Sequence, residues 1–265
     1  MFPHKFLAAM IAVAPLPGAP LYGGDDDAIV SQALQDLDYY TTAGVDCVVI
    51  ENSHDLPYVQ PPLPDDAVAL MTDLAIQVKK TFPGIVGIQV LEAANMTALE
   101  IAIQARLDFV RVEGYVFAHV GGAGIIEGCA GKLQRHKHLL GHNDVRFLAD
   151  VKKKHCSHAL TGDLNITDEV KQAEFFLADG IVVTGPRTAE APDIEELKQV
   201  RAATGLPVII GSGMTAENVG TYFPIADGFI TGSTFRREGD FLERLDPSRL
   251  NAFMDTFRHL KDASS

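Results

Sequence analysis

Short apolar segments rich in β-branched residues alternate along the chain with longer segments in which apolar positions recur every three or four residues. The short segments are apolar at nearly every position, which is typical of strands covered on both faces of a sheet. They predict eight strands: Phe6–Val13, Asp46–Glu51, Ile85–Leu91, Phe109–Glu113, Val145–Val151, Gly180–Thr184, Pro207–Ile210 and Gly228–Thr231. The longer, amphipathic segments predict eight helices: Asp27–Thr42, Asp66–Thr81, Met96–Arg106, Lys132–Leu140, Asp168–Leu177, Ile194–Thr204, Ala216–Phe223 and Ser248–Leu260.

Strands that alternate with helices predict a parallel sheet. The number of alternations favours one α/β domain over residues 1–265, a closed (β/α)8 or TIM barrel. An open, doubly wound sheet is the alternative, but the first strand is not followed by the G-x-G-x-x-G turn that would support it. The two longest predicted loops, Gly114–Gly131 and Lys152–Thr167, follow the fourth and fifth strands. Both would therefore lie on the carboxyl face, which carries the chemistry in barrels.

Composition and charge narrow the class of protein. The chain is 47% hydrophobic and 22% charged, as in a globular domain, and its formal net charge is -13. Such an acidic chain repels phosphate backbones and anionic membranes, so we expect no nucleic-acid partner. No stretch reaches the roughly 20 apolar residues of a transmembrane segment, and the three cysteines have neither disulfide nor metal spacing. We therefore expect a cytoplasmic protein and interpret the apolar segment Phe6–Pro15 as a buried strand rather than a signal segment.

Two loops that contain glycine and serine follow the seventh and eighth predicted strands. Glycines let backbone N–H groups approach a ligand closely, and a following helix adds partial positive charge. Many barrels hold a phosphate at these two loops, although the glycines would also suit simple tight turns. The sequence predicts a phosphate-binding site formed by Gly211, Ser212, Gly213, Gly232 and Ser233.

Charged residues cluster at the predicted strand ends, where side chains of one parity should point into the mouth of a barrel. The candidate catalytic residues are Glu51, Arg111, Glu113, Asp150, Lys152, Lys154 and His155. Asp150 and Glu51 are the acid/base candidates, while Lys152 or Lys154 would stabilise an oxyanion or form a Schiff base. The alternative is a structural layer of ion pairs, in which Asp150 pairs only with Lys152 or Arg111. We assign no metal site and no cofactor, because Asp150, His155 and Glu51 lack metal-motif spacing, but a divalent metal is left open.

Several short stretches carry a resemblance to a known family. They are residues 10–18 (MIAVAPLPG), 49–52 (VIEN), 124–128 (GIIEG), 149–151 (ADV) with 154–155 (KH), 183–185 (VTG) with 192–193 (PD), and 211–213 (GSG). Together, from about Met10 to Met254, they resemble the BtpA/SgcQ family. The resemblance implies a ribulose-phosphate-binding type of barrel, an association with photosystem I accumulation in photosynthetic relatives, and a place in carbohydrate metabolism for others. The chain departs from the family pattern at Ala12, Gln89, Glu113 and Lys152, so the resemblance assigns it no reaction.

Our first hypothesis is an enzyme that acts on a small phosphorylated sugar or a related phosphate ester. Isomerisation, lyase-type cleavage and glycosidic-bond cleavage are all left open, and the expected partner is a small anionic or phosphorylated metabolite. One rival is a non-enzymatic biogenesis or assembly factor, which would be favoured by an exposed apolar patch rather than by converging charges. The other is a phosphometabolite-binding sensor. The sequence leaves open whether the chain forms a homo-oligomer.

Overall fold

Eight parallel strands close into a barrel in this computed structural model, which describes residues 2–185, 187 and 189–264. Each strand pairs with its neighbours in chain order, and the last pairs with the first. The strands are β1 Phe6–Ala12, β2 Cys47–Glu51, β3 Ile85–Gln89, β4 Phe109–Val112, β5 Arg146–Val151, β6 Gly180–Val183, β7 Val208–Ile210 and β8 Gly228–Thr231. The predicted (β/α)8 fold is confirmed, and the open-sheet alternative is wrong.

A helix follows each barrel strand. The helices are α1 Asp26–Ala43, α2 Asp65–Thr81, α3 Asn95–Ala105, α4 Ala130–Leu139, α5 Ile166–Phe175, α6 Ile194–Ala203, α7 Val219–Tyr222 and α8 Pro247–Ala263. Helix α7 is shorter than predicted because Thr215 and Asn218 bond to each other's backbone N–H groups, at 2.8 and 3.3 Å, and form a turn first. The loop after β4 contains an antiparallel hairpin that the sequence pattern did not predict, in which His119–Gly121 pairs with Gly124–Ile126.

Local signals fix several helix starts. Asp25 and Asp193 each accept a backbone N–H from the first helical turn at 2.9 Å. Asn165 forms a capping box with Asp168 at the start of α5. Asp246 caps α8, whose first residue is proline. These caps satisfy N–H groups that have no partner within a helix.

The barrel interior changes from apolar to polar along the strands. At the lower end, the rings of Phe6 and Phe109 lie where a side chain on Gly228 or Gly87 would be, since an added Cβ would come within 2.3 Å of a ring atom. The inward positions above them are buried and apolar. At the carboxyl ends the inward residues are instead polar or charged: Glu51, Gln89, Arg111 and Asp150. The barrel therefore places polar side chains, whose burial is unfavourable without partners, at the carboxyl end of an apolar interior.

At the opposite, lower rim of the barrel, the same hydrogen bond between an aspartate and a strand backbone recurs four times in the described chain. An aspartate immediately before each even-numbered strand accepts the backbone N–H near the start of the preceding odd-numbered strand, at 2.7–3.0 Å. Each of these carboxylates also faces a basic side chain from an even-numbered helix. In the described chain these pairs are Asp46 with Lys261, Asp108 with Lys79, Asp179 with Lys137, and Asp227 with Arg201. We call each aspartate, with the backbone N–H that it accepts, an aspartate clasp. The four clasps join neighbouring strands on the face away from the candidate site.

Candidate functional site

A cavity of about 430 Å³ opens at the carboxyl ends of the strands. Ten of the residues predicted from the sequence line it: Glu51, Arg111, Glu113, Lys154, His155, Gly211, Ser212, Gly213, Gly232 and Ser233. Asp150 and Lys152 do not. Three positions at which the chain departs from the family pattern, Ala12, Gln89 and Glu113, also lie in its wall.

Asp150 lies beneath the cavity and is covered by Arg111. The guanidinium binds the carboxylate through two contacts, Nε to Oδ1 at 3.0 Å and Nη2 to Oδ2 at 3.3 Å. Burial disfavours the Arg111 cation, but the carboxylates of Asp150, Glu51 and Glu113 together outweigh this and raise its pKa. Gly211 makes room for the guanidinium, because an added Cβ would lie 3.0 Å from Nη2. The expectation that the Asp150 carboxylate opens into the barrel mouth is therefore wrong, since this carboxylate is fully buried in an ion pair.

A second buried ion-pair cluster centres on Glu113 and Lys153. Lys153 Nζ lies 2.7 Å from Glu113 Oε1 and 3.4 Å from Glu92 Oε1. Glu113 also accepts hydrogen bonds from Gln89 Nε2 and from the Ala93 N–H. Burial raises the pKa of Glu113 despite Lys153, while Glu113 raises the pKa of Lys153 despite burial. Lys153 and Glu92 were missed from the sequence, and strand alternation gave no signal for either.

The side chains of the three consecutive lysines after β5, Lys152 to Lys154, lie in three different environments. Lys152 has a φ of 43°, which breaks strand alternation. Its ammonium lies 3.2 Å from Glu169 Oε1 on α5 and 3.1 Å from the Leu164 carbonyl. The prediction that Lys152 belongs to the site is therefore corrected, because its side chain lies against a helix. Lys154 instead enters the cavity wall, while its backbone N–H donates to Thr184 Oγ1 at 3.2 Å.

Lys154 and Glu51 face the cavity without an ion pair among the described residues. Glu51 Oε1 accepts a hydrogen bond from Ser53 Oγ at 2.7 Å. The Lys154 ammonium has no hydrogen-bond or ion-pair partner in the same part of the chain. Burial, and then the Arg111 charge, lowers the pKa of Lys154 to about 8. Beside it, burial and then Lys154 lower the pKa of His155.

The loop after β7 packs on the loop after β6. Ser212 Oγ accepts the Gly185 N–H at 3.3 Å and donates to the Glu190 carbonyl at 3.2 Å. Gly213 has a φ of 76°, and an added Cβ would lie 2.2 Å from the Glu190 backbone. The glycine at 213 is thus required by chain packing, as in the simple-turn alternative. The N–H groups of Ser212 and Gly213 nevertheless donate to no acceptor among the described residues, so they can bind an anion.

Two buried polar atoms in the cavity wall lack a partner within the described chain. They are Gln89 Oε1 and Thr231 Oγ1, in residues that are 2% and 4% exposed. Buried polar atoms in folded proteins almost always have a hydrogen-bond partner. With Lys154 and Glu51, which have no ion-pair partner in the described chain, these atoms give the cavity wall polar groups that can bind a polar molecule.

The hairpin after β4 roofs the cavity. Its tip residues Gly122 and Ala123 line the space, and the Ala123 N–H donates to Glu92 Oε2 at 2.6 Å. Val120 and Ser157 bond to each other's backbone at 2.8 and 3.0 Å, which joins the roof to the loop after β5. The roof is therefore held by hydrogen bonds to the loops after β2, β3 and β5.

Among the described residues, no group of three or more His, Cys, Asp or Glu side chains is placed to hold a metal ion. None of the helices in that part of the chain has the length and apolar character needed to cross a membrane.

Comparisons with known proteins agree with the fold. The model of the BtpA family matches residues 3–259. An uncharacterized protein of Caenorhabditis elegans, named as mitochondrial, is 40% identical over 95% of this chain and 92% of its own length. Photosystem I biogenesis protein BtpA of Synechocystis is 33% identical over 95% of this chain and 88% of its own length.

Solved structures with a similar fold are much more distant in sequence. Phosphoribosylanthranilate isomerase of Thermus thermophilus has a TM-score of 0.61 at 12% identity, covering 97% of this chain and 100% of its own. Thiamine phosphate pyrophosphorylase of Pyrococcus furiosus has a TM-score of 0.60 at 11% identity, covering 97% and 96%. At this level of identity the likeness establishes the barrel fold alone.

Proposed function

This chain belongs to the BtpA family, and we propose that it is an enzyme that acts on a small phosphorylated sugar or a related phosphate ester. The observation that carries the proposal is one cavity whose wall contains charged side chains and backbone N–H groups that have no partner among the described residues. A purely structural layer of ion pairs would leave neither Lys154 nor Glu51 unpaired, because an uncompensated charge at a partly buried site is unfavourable.

The phosphate would lie against Gly211–Gly213 and Gly232–Ser233, after β7 and β8, where barrels often bind phosphate. The two proteins of similar fold described above are named after phosphorylated compounds, and this is compatible with a phosphate at this position. The loop N–H groups supply hydrogen-bond donors that hold the phosphate against the acidic charge of the chain. The reacting part of the substrate would then reach towards β2.

Glu51 is the acid/base group that we propose, and Lys154 stabilises charge that develops on a substrate oxygen. Asp150 acts as a positioning residue, because it holds Arg111 in the floor of the cavity. The Glu113 and Lys153 pair likewise fixes the wall between β3, β4 and the loop after β5. Isomerase, lyase and glycosidic-cleavage chemistry all use such a set, and we propose no choice among them.

A ligand titration tests the phosphate site. Inorganic phosphate and ribose 5-phosphate should raise the melting temperature and bind in calorimetry, whereas ribose should not. Ser233→Asp adds a carboxylate to the loop after β8, so it should weaken phosphate binding at least about tenfold by charge repulsion. The control Ser31→Asp makes the same change on the exposed face of α1. Equal binding of ribose and ribose 5-phosphate, or equal effects of the two variants, would contradict the proposal.

A second candidate function is a non-enzymatic biogenesis factor. It is favoured by the name of the Synechocystis relative and by the exposed apolar end of α5, where Phe175 and Leu177 are 77% and 67% exposed. The two candidates differ in which residues a cell requires. In a strain that lacks this chain, a biogenesis factor should retain function with Glu51→Gln and lose it with Phe175→Asp, and an enzyme should show the reverse.

A further inference from the structure

We infer that the side-chain amine of Lys154 is a nucleophile that condenses with an aldehyde or ketone carbonyl bound in the cavity. The substrate is then a phosphorylated sugar that presents a free carbonyl group, rather than a glycoside or a simple phosphate ester. The phosphate part of this inference rests on the proposed function, whereas the reactivity of the amine does not.

The placement of Lys154 carries the inference. Its side chain lies in the cavity wall at the carboxyl end of β5, and its backbone is held by the hydrogen bond to Thr184 Oγ1. Among the described residues its ammonium has no carboxylate or carbonyl partner that accepts its N–H groups and so stabilises the protonated form. The cavity, about 430 Å³ in volume, is large enough for a small metabolite beside it.

The two preceding lysines form an internal comparison. Lys152 is tied to Glu169 Oε1 and to a main-chain carbonyl under α5, outside the cavity. Lys153 is held by Glu113 at 2.7 Å, and this pair raises its pKa. Both amines are therefore occupied, although they are adjacent to Lys154 in the sequence. The run of three lysines presents one amine to the cavity in a reactive setting.

The charges around Lys154 make the neutral amine accessible near neutral pH. Burial, Arg111 and Lys153 lower its pKa and Glu51 and Asp150 raise it, with a net value of about 8. At pH 7.5 about a quarter of such an amine is neutral, against about 0.1% for a lysine of ordinary pKa. The neutral amine is the form that attacks a carbonyl, so the gain in reactive fraction is about 200-fold.

The condensation balances without an oxidant or reductant. The amine nitrogen bonds to the carbonyl carbon, and its proton passes to the carbonyl oxygen to give a carbinolamine. Glu51, which lines the same cavity without a cationic partner in the described chain, can carry the protons. The proton that the Lys154 ammonium first gave up to Glu51 now passes to the hydroxyl, the carbon–oxygen bond breaks, water leaves, and an iminium forms. The iminium draws electrons from the neighbouring carbon, and hydrolysis restores the free lysine.

Borohydride trapping tests the inference, because reduction converts the iminium into a stable secondary amine. The folded protein is incubated at pH 7.5 with glyceraldehyde 3-phosphate, dihydroxyacetone phosphate or unphosphorylated glyceraldehyde, and borohydride is then added. Peptide mass spectrometry should locate the adduct on Lys154, at a rate at least about 100-fold above Lys152 and Lys153. The labelling rate should rise with pH around a midpoint near 8.

Matched variants control the experiment. Lys154→Arg keeps a cation but removes the nucleophile, and Lys154→Met removes both, so each should abolish the adduct. Lys152→Met should leave it unchanged, because that side chain lies outside the cavity. Melting curves of the variants establish that each is folded before labelling.

The outcomes separate the inference from the proposed function. Labelling that spreads evenly over surface lysines, or that persists in Lys154→Arg, overturns the inference. Phosphate binding without an adduct from any of the three carbonyl compounds overturns it as well, while the proposed phosphate site stands. Labelling of Lys154 by glyceraldehyde as fast as by glyceraldehyde 3-phosphate supports the nucleophile and contradicts the phosphate site.

Discussion

Replacing Asp150 by asparagine should destabilise the protein because it leaves a buried cation unpaired. The Arg111 guanidinium contacts both carboxylate oxygens at 3.0 and 3.3 Å, and the Asp150 side chain is completely inaccessible. Removing one partner of such a pair costs about 3–5 kcal/mol, although the asparagine preserves the shape. With an unfolding entropy of about 2.1 cal/mol/K per residue, this cost lowers the melting temperature by roughly 5–9 °C.

Thermal and urea unfolding, followed by circular dichroism, would measure this effect. Glu51→Gln is the matched control, since it neutralises a carboxylate in the wall of the cavity above Asp150 that has no cationic partner in the described residues. Its melting temperature should change by no more than about 1 °C. Adding Arg111→Met to Asp150→Asn should recover part of the loss, because the unpaired cation is then removed. If Asp150→Asn is no less stable than Glu51→Gln, the positioning role of Asp150 is wrong and its catalytic role returns.

Three further effects follow from the structure. Gly213→Ala should cost at least about 2 kcal/mol in urea unfolding, because its φ is 76° and the new Cβ would lie 2.2 Å from the Glu190 backbone. Lys154→Met should be more stable than the parent at pH 7, with an advantage that shrinks as the pH rises. The folded pKa of Lys154 is about 8, below its ordinary value of 10.5, so the unfolded chain binds more protons between these values and parental stability rises with pH there. Glu92→Ala should speed amide exchange at Ala123 at least about tenfold, because that N–H loses its acceptor at 2.6 Å.

Each of these effects has a control within the same chain. Gly23→Ala should be nearly neutral, because no atom lies within 4 Å of its added Cβ. A pH dependence that is identical in the parent and Lys154→Met would contradict the lowered pKa. Glu127→Ala changes an exposed carboxylate of the same loop and should leave exchange at Ala123 unaltered.

The barrel was predictable because near-continuous apolar runs identify strands that are covered on both faces. Strand ends differ from the predicted ones by at most two residues, as with β3, which ends at Gln89 rather than Leu91. The hairpin after β4 escaped because each of its strands has three residues, and the turn between them consists of Gly122 and Ala123. Segments this short carry too few positions for an alternating pattern to be recognised.

The candidate site was predictable only as far as strand alternation holds. Counting by twos along β5 placed Asp150 and Lys152 together at the mouth of the barrel, but the chain turns at Lys152 with a positive φ. That single backbone angle moves Lys152 out to α5 and brings Lys153 and Lys154 to the cavity. Nothing in the residue types around this turn signals it, since no glycine or asparagine marks the position.

The four aspartate clasps on the lower rim divide the barrel into quarters. Each quarter contains two strands joined by one clasp, and a basic residue from its second helix reaches the clasp of the next quarter, as Lys137 reaches Asp179 and Lys261 reaches Asp46. This regularity means that the same strand-joining contact recurs in every quarter. It also gives the chain a natural seam at Gly141, between α4 and β5. Two polypeptides separated at that seam would each keep two whole clasps, and the two exchanged lysines would guide the halves back into one barrel.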